Sequence, residues 1–188
     1  MSESPKLFHE RQSLQRCGIH ALNNLFQSSV FTKQGFDEIC QKLAPDDFIN
    51  PHKSLIGLGD YDVNVLTAAV SAKGYTLKWV DSRKSNSVDV GIVLGFVINT
   101  TTKRLWWWDT QHWFAVRCVE SKWYNFNSKL AQPEPIPDIT AYLNDIVKQP
   151  KSQVLVAIKP DLEDKLYRAQ QPGKDESKAK EDTESGGT

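Results

Sequence analysis

The chain has 188 residues and a mass of 21.3 kDa, with 39% hydrophobic and 24% charged residues, enough for one globular domain with its own core and unlike a disordered chain. Twenty-three Lys+Arg balance 23 Asp+Glu, so no basic excess points to nucleic acid or to an anionic membrane surface. No apolar run approaches the ~20 residues of a membrane span, MSESPKLFHERQS lacks a signal-peptide core, and three cysteines without pairing spacings fit a reducing compartment. The expectation is an intracellular protein of the cytoplasm and also of the nucleus.

Helical patterns come first. Residues 17–27 place Ile19, Leu22, Leu25 and Phe26 on one face, and residues 34–44 do the same with Phe36, Ile39, Cys40 and Leu43. Residues 45–60, with Pro45, Pro51, Gly57 and Gly59, read as a loop. A third helix runs from Asp60 or Asp62 as cap, Asp62 being preferred, to Lys73, with Gly74 placed to end it.

Strand patterns follow. Residues 75–80 alternate, and 90–98 form a continuous apolar run suited to a buried central strand. Residues 112–119 and 122–128 flank Glu120-Ser121 and read as a hairpin. A helix near 138–148 and a strand at 153–159 come next. A short polar helix over 161–172 then leads into a charged tail, 173–188, with no large apolar residue to offset its ordering entropy. Helices first and mostly antiparallel strands later make an α+β fold, its helical N-terminal half packed on the sheet.

The cysteines separate by position. Cys40 lies on the apolar stripe of its helix, and Cys118 shares strand parity with Phe114 and Val116, so both are expected in the core. Cys17 sits about 150° from the centre of its helix's stripe, on the side of Ala21 and Asn24. It also stands at the helix N-terminus, where unpaired N–H groups and the positive dipole end favour a thiolate nucleophile. From position alone, a reactive cysteine and one that merely sits near a helix end both remain open.

Four histidines compete as the base. His52 falls in the loop and reads as solvated, and His9 has no pattern around it. His20 is one turn from Cys17 on the same helix, which leaves little room for a substrate and suits a hydrogen-bonded structural role. His112 opens a strand. With a two-residue turn at Glu120-Ser121, residue 114 opposes 127 and 112 opposes 129, so His112 and Asn127 face one side, roughly 7–8 Å apart at Cα. In that arrangement the Asn127 amide oxygen accepts Nδ1–H of His112 and leaves Nε2 to take a thiol proton. A one-residue change in the turn would flip Asn127 to the other face, leaving an edge histidine and a strand-end asparagine. The Cys17 N–H and the Gln12 side-chain amide are candidate donors to an oxyanion, although Gln12 alone reads as surface polar. There is no C-x₂-C, and Cys17-x-x-His20 has no second ligand pair, so neither metal nor cofactor is expected.

The segments FHERQSLQRCGIHALNNLFQ, GLGDYDVNVL, QHWFAVR and WYNFNSKL, in this order over roughly residues 7–159, resemble the signature segments of the Josephin family, papain-like cysteine proteases that act as deubiquitinases. The resemblance implies a papain-like fold, a catalytic domain over residues 7–160, and ubiquitin and ubiquitinated proteins as partners. Position by position it implies Cys17 as nucleophile, His112 as general base, Asn127 as its orienter and Gln12 as oxyanion donor, without a cofactor. The chain is more like the short single-domain members, many of which carry Asp where this chain has Asn127; a neutral orienter holds the tautomer but stabilises the imidazolium less. The approach to the histidine, RLWWWDTQHW, is unusual. Trp107 and Trp108 are candidate substrate contacts, whereas Trp113 is expected to pack in the sheet. The protein is expected to be a monomer, and the rival reading is a module that binds ubiquitin with low or conditional turnover.

Overall fold

The structure is a computed structural model and describes residues 6–12, 16–45, 61–105 and 108–168. The N-terminal half folds as expected into three helices, α1 Cys17–Phe26, α2 Lys33–Leu43 and α3 Val63–Ser71. Caps set their starts. Thr32 Oγ accepts the Gly35 N–H at the head of α2, and Asp62 Oδ1 accepts from Asn64 and Val65 at the head of α3, satisfying donors that a helix cannot. A fourth helix, α4 Ile139–Lys148, is capped by Asp138.

Six strands, β1 Thr76–Trp79, β2 Val93–Leu105, β3 Trp108–Val119, β4 Lys122–Phe126, β5 Glu134–Ile136 and β6 Gln153–Ile158, form one antiparallel sheet in the order β1-β6-β2-β3-β4-β5. Strand parity sorts the core into two layers. Leu77, Val97, Trp113, Ala115, Phe126, Leu155 and Ala157 pack with α1 and α3 on one face. Phe96, Ile98, Phe114, Val116, Val154, Val156 and Ile158 pack with α4 on the other. The result is an α+β fold with helices on both faces of the sheet, consistent with a papain-like arrangement.

The hairpin that carries the candidate base has the expected register. Glu120 (φ 48°) and Ser121 (φ 63°) both lie in the left-handed region, the backbone of a two-residue turn whose twist matches the flanking strands. Val119 pairs with Lys122 and Ala115 with Phe126. Carried one residue further, this register sets Asn127 opposite Phe114, on the same side as His112.

Elsewhere the structure departs from the pattern. β2 and β3 extend beyond 98 and before 112 through polar residues, because Thr100 to Lys103 pair in register with His112 to Asp109; backbone hydrogen bonds continue the ladder where apolar alternation stops. β5 and a 3-10 helix at Ser82–Ser87 were not legible. Of the segment expected as a polar helix over 161–172, the described residues form a 3-10 helix over Pro160–Lys165, and 169–172 lie outside the described residues. Leu166, 2% exposed, then enters the core, and Tyr167 bridges Val88 and accepts the Asp81 N–H; burying Leu166 and Tyr167 outweighs continuing a solvated helix. The tail 173–188 lies outside the described residues.

Two close approaches seat α1. A Cβ built at Gly95 of β2 would lie 2.5 Å from the Val116 carbonyl oxygen and 2.8 Å from Leu25 Cδ1, so only glycine lets the C-terminal turn of α1 come down onto the sheet. At the same end, the guanidinium of Arg117 in β3 donates to the Leu25 carbonyl, one of the last carbonyls of α1 that lack a helical partner.

Candidate active site

Cys17 is the first residue of α1 and is 6% exposed. α1 is buried from Cys17 to Leu25 on every side, so the face of Cys17, Ala21 and Asn24, off the apolar stripe, is also covered by protein. The N-terminal electrostatics stand. The N-cap is Arg16, with no side-chain cap bond, and no acidic residue occupies the first turn. A Ser or Asp at that cap would place its own oxygen on the first-turn amides; arginine offers them none. Cys40 is fully buried, as expected, but Cys118 is only half-buried. It lies one residue from the end of β3 and pairs with Trp123 near the hairpin turn, where the sheet is less covered.

His112 (4% exposed) and Asn127 meet as the register requires: His112 Nε2 lies 2.7 Å from Asn127 Oδ1. Asn127 is held in turn. Its N–H donates to Asn125 Oδ1, its carbonyl accepts from Leu130 N–H, and Oδ1 also accepts from Lys129 N–H at 3.0 Å. An amide oxygen only accepts, so Nε2 carries the proton and Nδ1 keeps its lone pair. This reverses the nitrogens expected from the sequence, because strand spacing placed the two residues together but not the ring's rotation. The ring stacks on Phe114 at a centroid distance of 6.2 Å. Burial pushes the imidazole down to about 4, the Asn127 bond opposing this in part and the charge of Lys129 adding to it. His112 is therefore a neutral base at neutral pH.

Gln12 arrives on an extended segment. Its N–H donates to the Ser128 carbonyl at 2.9 Å, and Ser128 Oγ lies 3.4 Å from Gln12 Oε1. With the amide oxygen turned toward Ser128, Nε2 is directed away from it. An open cleft of about 510 Å³ lies here, lined by Arg11, Gln12, Ser128 and Lys129. Three of the four candidates thus come into one neighbourhood, and Cys17 begins the helix that packs against β3 and β4.

His20, His9 and Trp113 are not part of that group. His20 Nδ1 stands 2.9 Å from Glu10 Oε1, a buried structural pairing, and His9 Nε2 bonds the Leu130 carbonyl at 3.1 Å. Trp113 is 5% exposed and packs under α1. Trp108 begins β3, while Trp107, Trp106 and His52 lie outside the described residues. Among the described residues, no three His, Cys, Asp or Glu side chains are grouped to hold a metal ion, and no helix is long and apolar enough to cross a membrane.

Residues 12–157 match the family model described as Josephin. The chain belongs to the Josephin family. It is 38% identical to Josephin-2 of Homo sapiens over 176 residues, covering 86% of this chain and 90% of that one. It is 34% identical to a Josephin-like protein of Drosophila melanogaster over 151 residues, 76% of this chain and 68% of the other. Similarity to ataxin-3 of Gallus gallus is 25% over 177 residues, 84% of this chain and 46% of that protein. The near end-to-end match with Josephin-2 agrees with a likeness to the short Josephins.

Sequence reasoning missed Glu10, Asn23, Asn24 and Ser128. One signal was present: adjacent asparagines on an otherwise apolar helix must find partners if they are buried.

Proposed function

We propose that this Josephin protein is a cysteine-type deubiquitinase that cleaves the isopeptide or peptide bond after the C-terminal Gly-Gly of ubiquitin. The observation that carries the reading is the 2.7 Å bond from His112 Nε2–H to Asn127 Oδ1, which leaves Nδ1 as a free base on β3, the strand against which the helix of Cys17 packs.

In this mechanism Nδ1 takes the Cys17 thiol proton as the sulfur adds to the scissile carbonyl. The oxyanion is held by the Gln12 side-chain amide and the Cys17 N–H. Imidazolium Nδ1–H then protonates the departing amine, and the C–N bond breaks to leave a thioester. Water, deprotonated by Nδ1, attacks the thioester; the carboxylate leaves and the thiol is restored. The low proton affinity of His112 keeps the ring neutral before attack and makes its imidazolium a strong acid toward the leaving amine.

A ubiquitin probe with a C-terminal electrophile tests the reading. Wild type is expected to form an adduct at Cys17 and to cleave ubiquitin–fluorophore, and Cys17→Ala to do neither. Binding of ubiquitin without adduct or turnover would favour a binding module. Cleavage by Cys17→Ala at the wild-type rate would overturn the mechanism.

A further inference from the structure

We infer that Asn24 is a positioning residue that sets Gln12 in place for the reaction, an inference that rests on the hydrolytic reading above. Asn24 is fully buried on α1, two turns from Cys17. Its Oδ1 accepts the Glu10 N–H at 2.7 Å and its Nδ2 donates to the Glu10 carbonyl at 3.1 Å. One side chain thus pairs with both backbone groups of a single residue, as a neighbouring strand would. The same Nδ2 lies 3.2 Å from the Phe126 carbonyl, the residue before Asn127. Asn24 therefore ties together three separate stretches of chain: the helix of Cys17, the approach to Gln12 and the end of β4.

The segment has few other means of holding its shape, since residues 6–12 belong to no helix or strand. Gln27 grips Phe8 in the same two-sided way, through Phe8 N–H to Oε1 and Nε2 to the Phe8 carbonyl. Gln12 N–H meets Ser128. Residues 8, 10 and 12 alternate along the segment, so their polar backbone groups face one side, and Gln27 at the end of α1, Asn24 within it and Ser128 just past β4 supply a partner at each step. The Glu10 side chain completes the clamp, with Oε2 accepting from Asn23 Nδ2 at 2.6 Å and Oε1 beside His20. Asn23 is itself tied to both backbone groups of Phe31.

The physical consequence concerns Gln12. An oxyanion donor acts only within a few tenths of an ångström of its position, and a misplacement of ~1 Å can cost about 10² in rate. Glu10 is two residues from Gln12, so releasing its backbone lets the donor drift while the His112–Asn127 bond stays in place. A packing residue with no such role would lower stability and leave the fold that survives fully active.

The test is a double-mutant cycle on ubiquitin–fluorophore hydrolysis, with melting temperature measured alongside. Asn24→Ala is expected to lower kcat by about 10- to 100-fold with KM within about twofold. In a Gln12→Ala background the same substitution is expected to cost less than about threefold, because the donor it positions is gone. Glu10→Gln, which keeps the length of the side chain and removes its charge, provides the same comparison if Asn24→Ala does not fold, with a smaller loss of the same sign. Full additivity of either substitution with Gln12→Ala, or wild-type kcat in a folded variant of lower melting temperature, would overturn the inference. Absence of turnover and of probe labelling in the wild type would strike the hydrolase reading instead.

Discussion

Replacing Asn127 by Asp puts a charge where the structure has a neutral acceptor, at almost unchanged shape. Asn127 Oδ1 accepts from His112 Nε2 at 2.7 Å and from Lys129 N–H at 3.0 Å, and both bonds survive in the carboxylate. Opposite unit charges about 4 Å apart at an effective dielectric constant of ~20 attract by about 4 kcal/mol, or ~3 pKa units. Desolvating the half-buried carboxylate takes back part of this, so a rise of about 2 units is expected, from about 4 to about 6. The assay is an NMR titration of the His112 ring in a Cys17→Ala background, which removes coupling to the thiol. The acid limb of kcat/KM in the Cys17 enzyme should rise in parallel, so Asn127→Asp loses activity between pH 6 and 5 where wild type keeps it. A midpoint within about half a unit of wild type in the folded variant would refute the account of His112 given above.

The other predictions follow from single features. With His112 at about 4 folded and 6.5 unfolded, only the unfolded chain binds this proton between those values. The His112 contribution to stability is therefore greatest above pH 6.5, falls as pH drops through that window, and is lower by about 3 kcal/mol below pH 4; denaturant midpoints across this range check it. Gln12→Ala removes one oxyanion donor and should slow kcat by about 10²–10³ while probe labelling of Cys17 persists; a loss under about threefold would exclude that role. Gly95→Ala drives a methyl to 2.5 Å from the Val116 carbonyl oxygen and should destabilise by about 3 kcal/mol, read as a lower denaturant midpoint at unchanged slope. Glu120→Asn with Ser121→Gly suits a turn with positive φ at both positions and should stabilise by about 1 kcal/mol without changing kcat, whereas one residue inserted there should abolish turnover by moving Asn127 to the opposite face.

Local signals reached a long way into this protein. The cap at Asp62, the helix from Cys17 and the turn at Glu120-Ser121 depend on neighbours within a few residues, and the turn alone brought Asn127 to His112's side of the hairpin. The same range of interaction explains the misses. β5 is three residues long with a proline in it, and the 160–168 segment takes its shape from Leu166 and Tyr167 meeting the sheet.

What the chain determines by itself is the order of helices and strands, the register of one hairpin and the chemistry available at Cys17, His112, Asn127 and Gln12. Tertiary structure decided which imidazole nitrogen stays free, because ring rotation follows from Asn127 being fixed by Lys129 and Asn125. It also decided that the polar flank of α1 faces protein. Buried amides must be satisfied wherever the fold carries them, and here Asn24 is satisfied by backbone 14 and 102 residues away, a distance that no periodicity in the sequence encodes.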